Sequence, residues 1–181
     1  VRTSLPKIVA DELEADWKRV RVVQAPGDEA KYGNQDTDGS RSTRHGFDPL
    51  RRCGASARTM LEQAAAAKWK VPLDQVQAKN HEVVHKPTGR KLGYGALALA
   101  AAKLDVPAAA SVRLKQPGEF RYIGKTDTFL TDGQAIVSGK AQYGIDTDGD
   151  RFIDTWVSAR NAPWRHDDVL AAPIGQLRQI K

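Results

Sequence analysis

The feature that most limits the fold is an Ala-rich stretch at residues 47–69, which includes Met60, Leu61 and four consecutive alanines at 64–67. Alanine and leucine favour helix and Val71-Pro72 follow directly, so we predict one long helix over 47–69. We also predict helices at 3–16 and 94–104 and strands at 20–25, 82–86, 90–92 and 136–145. This mixture predicts an α+β fold in which helices pack on a small mixed sheet, followed by an irregular C-terminal segment.

Composition and charge exclude several classes of protein. A hydrophobic fraction of 40% and a charged fraction of 28% indicate a globular chain, and no apolar run approaches the ~20 residues of a membrane helix. The net charge of +6 is scattered among Asp and Glu, without a basic stripe interleaved with aromatics, so we expect no nucleic-acid partner. The single cysteine, Cys53, excludes an internal disulfide and a cysteine-bound iron–sulfur cluster within the chain.

A polar stretch at residues 26–46 has no apolar periodicity and is rich in Gly, Asp, Asn, Ser and Thr. A loop of this length in a compact domain is usually functional or disordered. Glycine and hydroxyl residues ahead of a helix present N–H and O–H donors to a phosphate or to a pterin edge. The candidates for such a site are Thr37, Gly39, Ser40, Arg41 and Ser42. A solvated loop would have a similar composition, so both interpretations stay open on the residues alone.

Residues 81–85 fit the H-E-x-x-H pattern of zinc peptidases, in which two imidazoles lie one helical turn apart beside a glutamate base. Val83 and Val84 favour strand, however, and a turn follows at 86–89. On a strand the two imidazoles would be ~13 Å apart, which is too far for one zinc ion. We therefore expect a strand, and a zinc hydrolase that uses His81, Glu82 and His85 is the weakest hypothesis.

Four aspartates near the C-terminus surround a glycine turn. Hard cations such as calcium prefer a cage of oxygen ligands, and this spacing predicts a possible calcium site at Asp146, Asp148, Asp150 and Asp154. The spacing is shorter than that of an EF-hand loop, whose bidentate glutamate is replaced by Val157. An acidic turn without a bound ion is the alternative.

Several ordered segments together resemble one protein family. The matching segments are Val1 to Trp17, Val20 to Ala25, Thr37 to Thr43, Pro49 to Ala57, Gly89 to Gly95, Phe120 to Lys125 and Val137 to Asp146. They resemble the molybdenum-cofactor-binding large subunit of the xanthine dehydrogenase/aldehyde oxidase family, of the isoquinoline 1-oxidoreductase beta-subunit type. We therefore predict a partial molybdenum-cofactor-binding domain over residues 1–135 and a separate C-terminal segment over 136–181.

The resemblance implies a cofactor, a reaction and a partner. It implies that Thr37, Gly39, Ser40, Arg41 and Ser42 contact molybdopterin cytosine dinucleotide, and that the parent enzyme oxidises aldehydes or N-heteroaromatics with water as the oxygen source. It also implies an iron–sulfur small subunit and a periplasmic location. The family's Gly-Gln-Gly loop and catalytic glutamate have no counterpart here, so we expect a fragment that contributes no catalytic residue and is not active alone.

The C-terminal part carries a second resemblance. Residues 142–150, 154–156 and 174–180 are similar to the C-terminal part of type IV pilus minor pilins. The alternative function is therefore a calcium-binding structural or interaction module with a minor-pilin-like tail. A shift in thermal stability with calcium would distinguish this module from the enzyme fragment.

Overall fold

The computed structural model describes residues 1–23, 25, 27–35, 37–125 and 130–141. Contacts divide the chain into two units, Val1–Thr131 and Asp132–Lys181. The domain boundary between residues 135 and 136 stays a prediction. Among the described residues, no helix combines the length and the apolar character needed to cross a membrane.

The first unit is built on two helices that cross closely. Helix α1 spans Ser4–Glu12 and helix α3 spans Arg41–Trp69, with the short helix α2 at Glu29–Tyr32 between them. A Cβ added to Gly54 of α3 would lie 2.5 Å from the Val9 carbonyl oxygen and 3.0 Å from the Glu12 Cβ. The close crossing therefore requires glycine at position 54.

A three-stranded sheet packs against α3. Its strands are β1 (Val76–Lys79), β2 (Glu82–His85) and β3 (Lys91–Gly93), and each pairs antiparallel with its neighbour in the order β1-β2-β3. A short helix α4 (Ala98–Ala101) follows the sheet. Single 3₁₀ turns occur at Trp17–Arg19, Leu73–Gln75, Tyr94–Ala96, Ala109–Ser111 and Pro117–Glu119.

The core lies between α3, the sheet and α4. It consists of small and medium apolar side chains, namely Leu61, Ala64, Ala65, Ala66, Val76, Ala78, Val83, Tyr94, Leu97 and Ala101. The alanines that predicted helix α3 also let the sheet approach it closely, because they add little bulk at the helix surface. The α+β class is confirmed, and the sheet is antiparallel instead of mixed.

Two predicted strands are wrong where the structure describes them. Residues 20–23 and 25 form no strand, and Val23 is 73% exposed. A β-branched run forms a strand only when a neighbouring strand pairs with it, and no strand pairs with the described residues of this run. In the second unit, α5 (Gly133–Val137) occupies the start of the predicted strand at 136–145, and it ends before Gly139 at φ +69°.

The helices also differ from prediction at their ends. Helix α1 ends earlier than predicted because Glu14 adopts a left-handed conformation (φ +57°). Helix α3 begins at Arg41, six residues before the predicted position 47, and passes through Pro49. The predicted helix at 94–104 is divided into the 3₁₀ turn at Tyr94–Ala96 and α4. Propensity locates such elements, but backbone geometry at their ends sets the boundaries.

Candidate functional site: the loop before the long helix

The predicted cofactor-binding residues lie at the N-terminus of α3. Gly39 and Ser40 have positive φ values, +46° and +54°, which turn the chain sharply into the helix. The Arg41 N–H donates to the Asp38 carbonyl oxygen at 3.0 Å, and the Arg41 side chain forms an ion pair with the Asp38 carboxylate. Ser42 Oγ lies 3.3 Å from Thr37 Oγ1. The structure thus brings the five residues into one short turn.

This turn has the chemistry that an anionic cofactor edge requires. The Ser40 side chain makes no capping hydrogen bond to the helix, and the first turn of α3 contains no acidic residue. In any α-helix the first N–H groups and the positive end of the dipole point out of the N-terminus, which for this 29-residue helix is the side of the loop. Thr37, Gly39 and Ser40 are exposed. The residues present fit the phosphate group of a molybdopterin cofactor.

Asp38, the ion-pair partner of Arg41, was not among the predicted site residues. Asp38 fixes this guanidinium from three residues earlier, an i,i+3 spacing that is visible in the sequence once the helix start is known. The helix start was placed too late, at 47, so the pair was not recognised. Whether the five predicted residues contact a cofactor stays a prediction.

The zinc hypothesis is wrong. Residues 82–85 form strand β2, while His81 lies in the turn before it with φ +70°. Both ring nitrogens of His85 have other partners, Nδ1 at 2.7 Å from Thr88 Oγ1 and Nε2 at 3.1 Å from Gln75 Oε1. Among the residues that the structure describes, no three His, Cys, Asp or Glu side chains form a group that could bind a metal ion.

Neither imidazole is fully exposed. His85 is buried, and the Nδ1 atom of His81 is buried without a hydrogen-bond partner. The His81 ring packs on Tyr94 with centroids 4.8 Å apart. Burial, followed by the Arg19 charge, lowers the pKa of His81 below its usual 6.5. The calcium candidates Asp146, Asp148, Asp150 and Asp154 lie outside the described residues.

A buried ionic network attaches the segment 113–123 to α1. The Asp11 carboxylate accepts backbone N–H groups of Arg121, Tyr122 and Ile123, and it accepts the Lys115 ammonium at 3.0 Å. Burial alone would raise the pKa of Asp11. The hydrogen bonds from Ile123, Tyr122, Lys115 and Arg121 outweigh burial, so the pKa of Asp11 lies below its usual 3.8.

Glu12 forms the second half of this network. It is fully buried, and it accepts Arg51 Nε at 2.8 Å, Arg58 at 3.4 Å and the Lys115 backbone N–H at 3.2 Å. Arg51 also lies against the rings of Phe47 and Phe120, at 5.3 and 5.1 Å. Two adjacent carboxylates of α1 thus bind both α3 and the segment 113–123.

The comparison with protein families identifies the class of this chain. Residues 1–142 match the family model described as a molybdopterin cofactor-binding domain. The chain therefore belongs to the molybdopterin cofactor-binding domain family, and the predicted relationship to the xanthine dehydrogenase/aldehyde oxidase family is confirmed.

Two relatives are similar over most of the chain. One is "Isoquinoline 1-oxidoreductase subunit beta" of Brevundimonas diminuta, 33% identical over 219 aligned residues that cover 98% of this chain and 28% of the relative. The other is "Membrane-bound aldehyde dehydrogenase [pyrroloquinoline-quinone]" of Gluconacetobacter polyoxogenes, 31% identical over 150 residues that cover 81% of this chain and 19% of the relative. The chain thus spans less than a third of the length of either relative. The minor-pilin likeness stays a prediction.

Proposed function

We propose that this chain forms part of the cofactor pocket of a molybdenum-dependent hydroxylase that oxidises aldehydes or N-heteroaromatic compounds. The observation that supports this most directly is the match of residues 1–142 to the molybdopterin cofactor-binding domain family. Similarity to relatives named for isoquinoline and for aldehyde oxidation supports the two substrate classes. When bound, the cofactor supplies a two-electron oxidation of the substrate with water as the oxygen source.

In this proposal the turn at Thr37–Ser42 binds the anionic part of the cofactor. The backbone N–H groups at the start of α3 and the hydroxyl groups of Ser40 and Ser42 donate hydrogen bonds, and Arg41 contributes positive charge. Asp38 keeps the Arg41 side chain in place through their ion pair. We propose the cytosine dinucleotide form of the cofactor, which the family resemblance implies, and its second phosphate would offer this turn another anionic group.

The proposed activity belongs to a larger assembly. The name of the Brevundimonas relative describes a beta subunit, which implies at least one further subunit. We propose that this partner is an iron–sulfur small subunit that carries electrons away from the molybdenum, and that the assembly is periplasmic. The residues of this chain would then bind and orient the cofactor without acting in catalysis.

Cofactor retention tests this proposal. Ser40→Ala and Arg41→Ala are introduced into the complete subunit, which is purified with its partner subunit and analysed for molybdenum. Each change removes a donor to the cofactor, and we expect the molybdenum content per subunit to fall about tenfold. Arg113→Ala is the matched control, because Arg113 is another surface arginine in an ion pair, with Glu119. Unchanged molybdenum in the Ser40 and Arg41 variants would exclude the turn as a cofactor site.

A second candidate function rests on the aspartate spacing alone. We propose that Asp146, Asp148, Asp150 and Asp154 bind calcium and stabilise the C-terminal segment as an interaction module. A ligand at about a hundred times its dissociation constant stabilises a fold by roughly 2.7 kcal/mol. Thermal unfolding of the chain with calcium or with a chelator measures this, and Asp148→Asn should abolish the difference. An identical melting temperature under both conditions would remove the calcium hypothesis.

A further inference from the structure

A polar cavity lies beside strand β1 and shares no lining residue with the turn at Thr37–Ser42. Its volume is about 490 Å³, and it is lined by Glu14, Gln77, Ala78, Lys79, Asn80 and Arg121. This volume is within the range of small-molecule sites. Five of the six lining side chains are polar or charged, so the cavity suits a polar ligand.

Backbone strain is concentrated at this cavity. Asn80 and His81 form the two-residue turn between β1 and β2, and both have positive φ, +49° and +70°. Asparagine tolerates this conformation, but glycine is the usual residue at the second position of such a turn. Glu14, with φ +57°, occupies another position that usually holds glycine, the residue that ends a helix.

Glu14 contacts both residues of the turn between β1 and β2 directly. The His81 N–H donates to the Glu14 carbonyl oxygen at 2.6 Å, and the Asn80 N–H approaches the Glu14 carboxylate at 3.4 Å. Side chains in positions that favour glycine cost about 1 kcal/mol or more each, and such strain is common at ligand sites. The side chain of Glu14 has a clear role here, because it fixes a cation at the cavity wall.

That cation is Arg121. Its guanidinium donates to Glu14 Oε2 at 3.0 Å and to Asn80 Oδ1 at 2.9 Å, so the group is fixed from two sides. A guanidinium has five N–H donors, and within the described part of the chain that of Arg121 makes only these two hydrogen bonds. About a third of the Arg121 side chain is exposed, 32%. The geometry therefore presents a preorganised cation with donors left over for a ligand.

The balance of charge at the cavity favours an anion. Glu14 is paired with Arg121 and with the buried ammonium of Lys115, which Asp11 shares, so these two carboxylates and two cations balance one another. Lys79 lines the cavity as well, is exposed, and has no ion-pair or hydrogen-bonding side-chain partner among the described residues. Arginine and lysine together form charge-assisted hydrogen bonds with carboxylate and phosphate groups.

We propose that the cavity beside β1 is a binding site for a small anion, whose carboxylate or phosphate group is bound by Arg121 and Lys79. Asn80 keeps Arg121 in place and, with Gln77, offers amide donors to the rest of the ligand. This site uses different residues from the turn at Thr37–Ser42, and it does not depend on the proposed function.

An NMR titration of the full 181-residue chain tests the site. Inorganic phosphate and succinate are added separately at constant ionic strength, and the backbone amide resonances are followed. We expect saturable shifts confined to residues 77–80 and 121. Lys79→Gln should weaken binding about tenfold, since a charge-assisted hydrogen bond is lost, and Arg121→Gln should weaken it at least as much. Preference for one of the two probes would show whether the natural ligand carries a phosphate or a carboxylate.

Lys103→Gln is the matched control, because Lys103 is another exposed lysine that does not line the cavity. It should bind both probes as the unchanged chain does. Lys79 has no contact whose loss would unfold the chain, so its variant remains informative even if Arg121→Gln is unstable. Non-saturating shifts with both probes, or an equal loss of affinity in the Lys79 and Lys103 variants, would overturn the proposal.

Discussion

Replacing Asp11 by asparagine should destabilise the fold strongly although the two side chains have the same shape. The Asp11 carboxylate is fully buried and accepts N–H groups of Arg121, Tyr122 and Ile123 together with the Lys115 ammonium. Its Oδ2 atom receives the shortest of these bonds, at 2.9 Å from Tyr122 and Ile123. An asparagine would therefore place its carbonyl oxygen there and turn its N–H₂ group towards Lys115.

The magnitude follows from the contacts that this exchange removes. An amide N–H₂ group donates and cannot accept from an ammonium, so Lys115 loses the bond to Asp11 of 3.0 Å. A hydrogen bond to a charged group contributes about 1.5–3 kcal/mol, and a buried charge that loses its partner costs about 3–5 kcal/mol. Because Glu14 still pairs with Lys115, we expect the free energy of unfolding to fall by about 3 kcal/mol, the lower end of the range for a buried charge that loses its partner.

Urea denaturation followed by tryptophan fluorescence measures this loss. Trp17 is a suitable reporter because its ring lies 6.0 Å from the ring of Tyr122, within the region that Asp11 attaches. Asp105→Asn, at an exposed aspartate, is the matched control and should change the free energy of unfolding by less than about 0.5 kcal/mol. The reasoning is refuted if the Asp11 and Asp105 variants lose the same small amount.

The loss of stability caused by Asp11→Asn should depend on pH. The pKa of Asp11 in the folded chain lies below its usual value of 3.8, so its contribution is fully present above that pH. The contribution is lost as the pH falls below 3.8 towards the folded-state pKa, since the protonated carboxyl no longer pairs with Lys115. The stability difference between the unchanged chain and Asp11→Asn should therefore be constant from pH 7 to 5 and shrink in more acidic solution.

Gly54→Ala should destabilise the chain by about 2 kcal/mol in urea denaturation, since the new Cβ would lie 2.5 Å from the Val9 carbonyl oxygen. Gly46→Ala is its control, because the atoms nearest to a Cβ at position 46 belong to leucine side chains that can move. If both variants were as stable as the unchanged chain or more stable, the close helix crossing would be contradicted. Glu62→Gln should stabilise the chain at pH 7, because burial raises the pKa of Glu62 and the amide oxygen still accepts the Ala78 N–H. As the pH falls to 4.5, the unchanged chain should gain stability relative to Glu62→Gln, because Glu62 takes up a proton more readily in the folded chain. A stability difference between the two chains that does not depend on pH would show that folding does not raise the pKa of Glu62.

Local pattern predicted the parts of the fold that local forces determine. Helix α3 follows from its alanines, and the hairpin of β2 and β3 follows from Val83 and Val84 and the turn after them. Strand β1 was missed because its sequence, Val76-Gln-Ala-Lys79, has a single β-branched residue and forms by pairing with β2. The strand predicted at 20–25 had the right propensity, but no strand pairs with its described residues.

The two candidate sites differ in how much of each could be predicted from the sequence. The turn at Thr37–Ser42 is contiguous, so family resemblance and composition were enough to select it. The cavity beside β1 joins residues that are distant in sequence. Asn80 is 66 residues and Arg121 is 107 residues from Glu14, which both contact. Contacts between residues so distant in sequence leave no periodic signal in a single chain.

Asp11 and Glu12 explain why the acidic end of α1 is buried and not solvated. The segment 113–123 contains only a single 3₁₀ turn, so its backbone N–H groups have no strand or helix to satisfy them. The two carboxylates accept N–H groups from Lys115, Arg121, Tyr122 and Ile123 in place of a neighbouring strand. Many buried ion pairs can be replaced by apolar side chains at little cost, but here apolar replacements would leave four backbone donors unsatisfied. The carboxylates are therefore required for the attachment of this segment to α1, and through Arg121 they also set the position of the cavity wall.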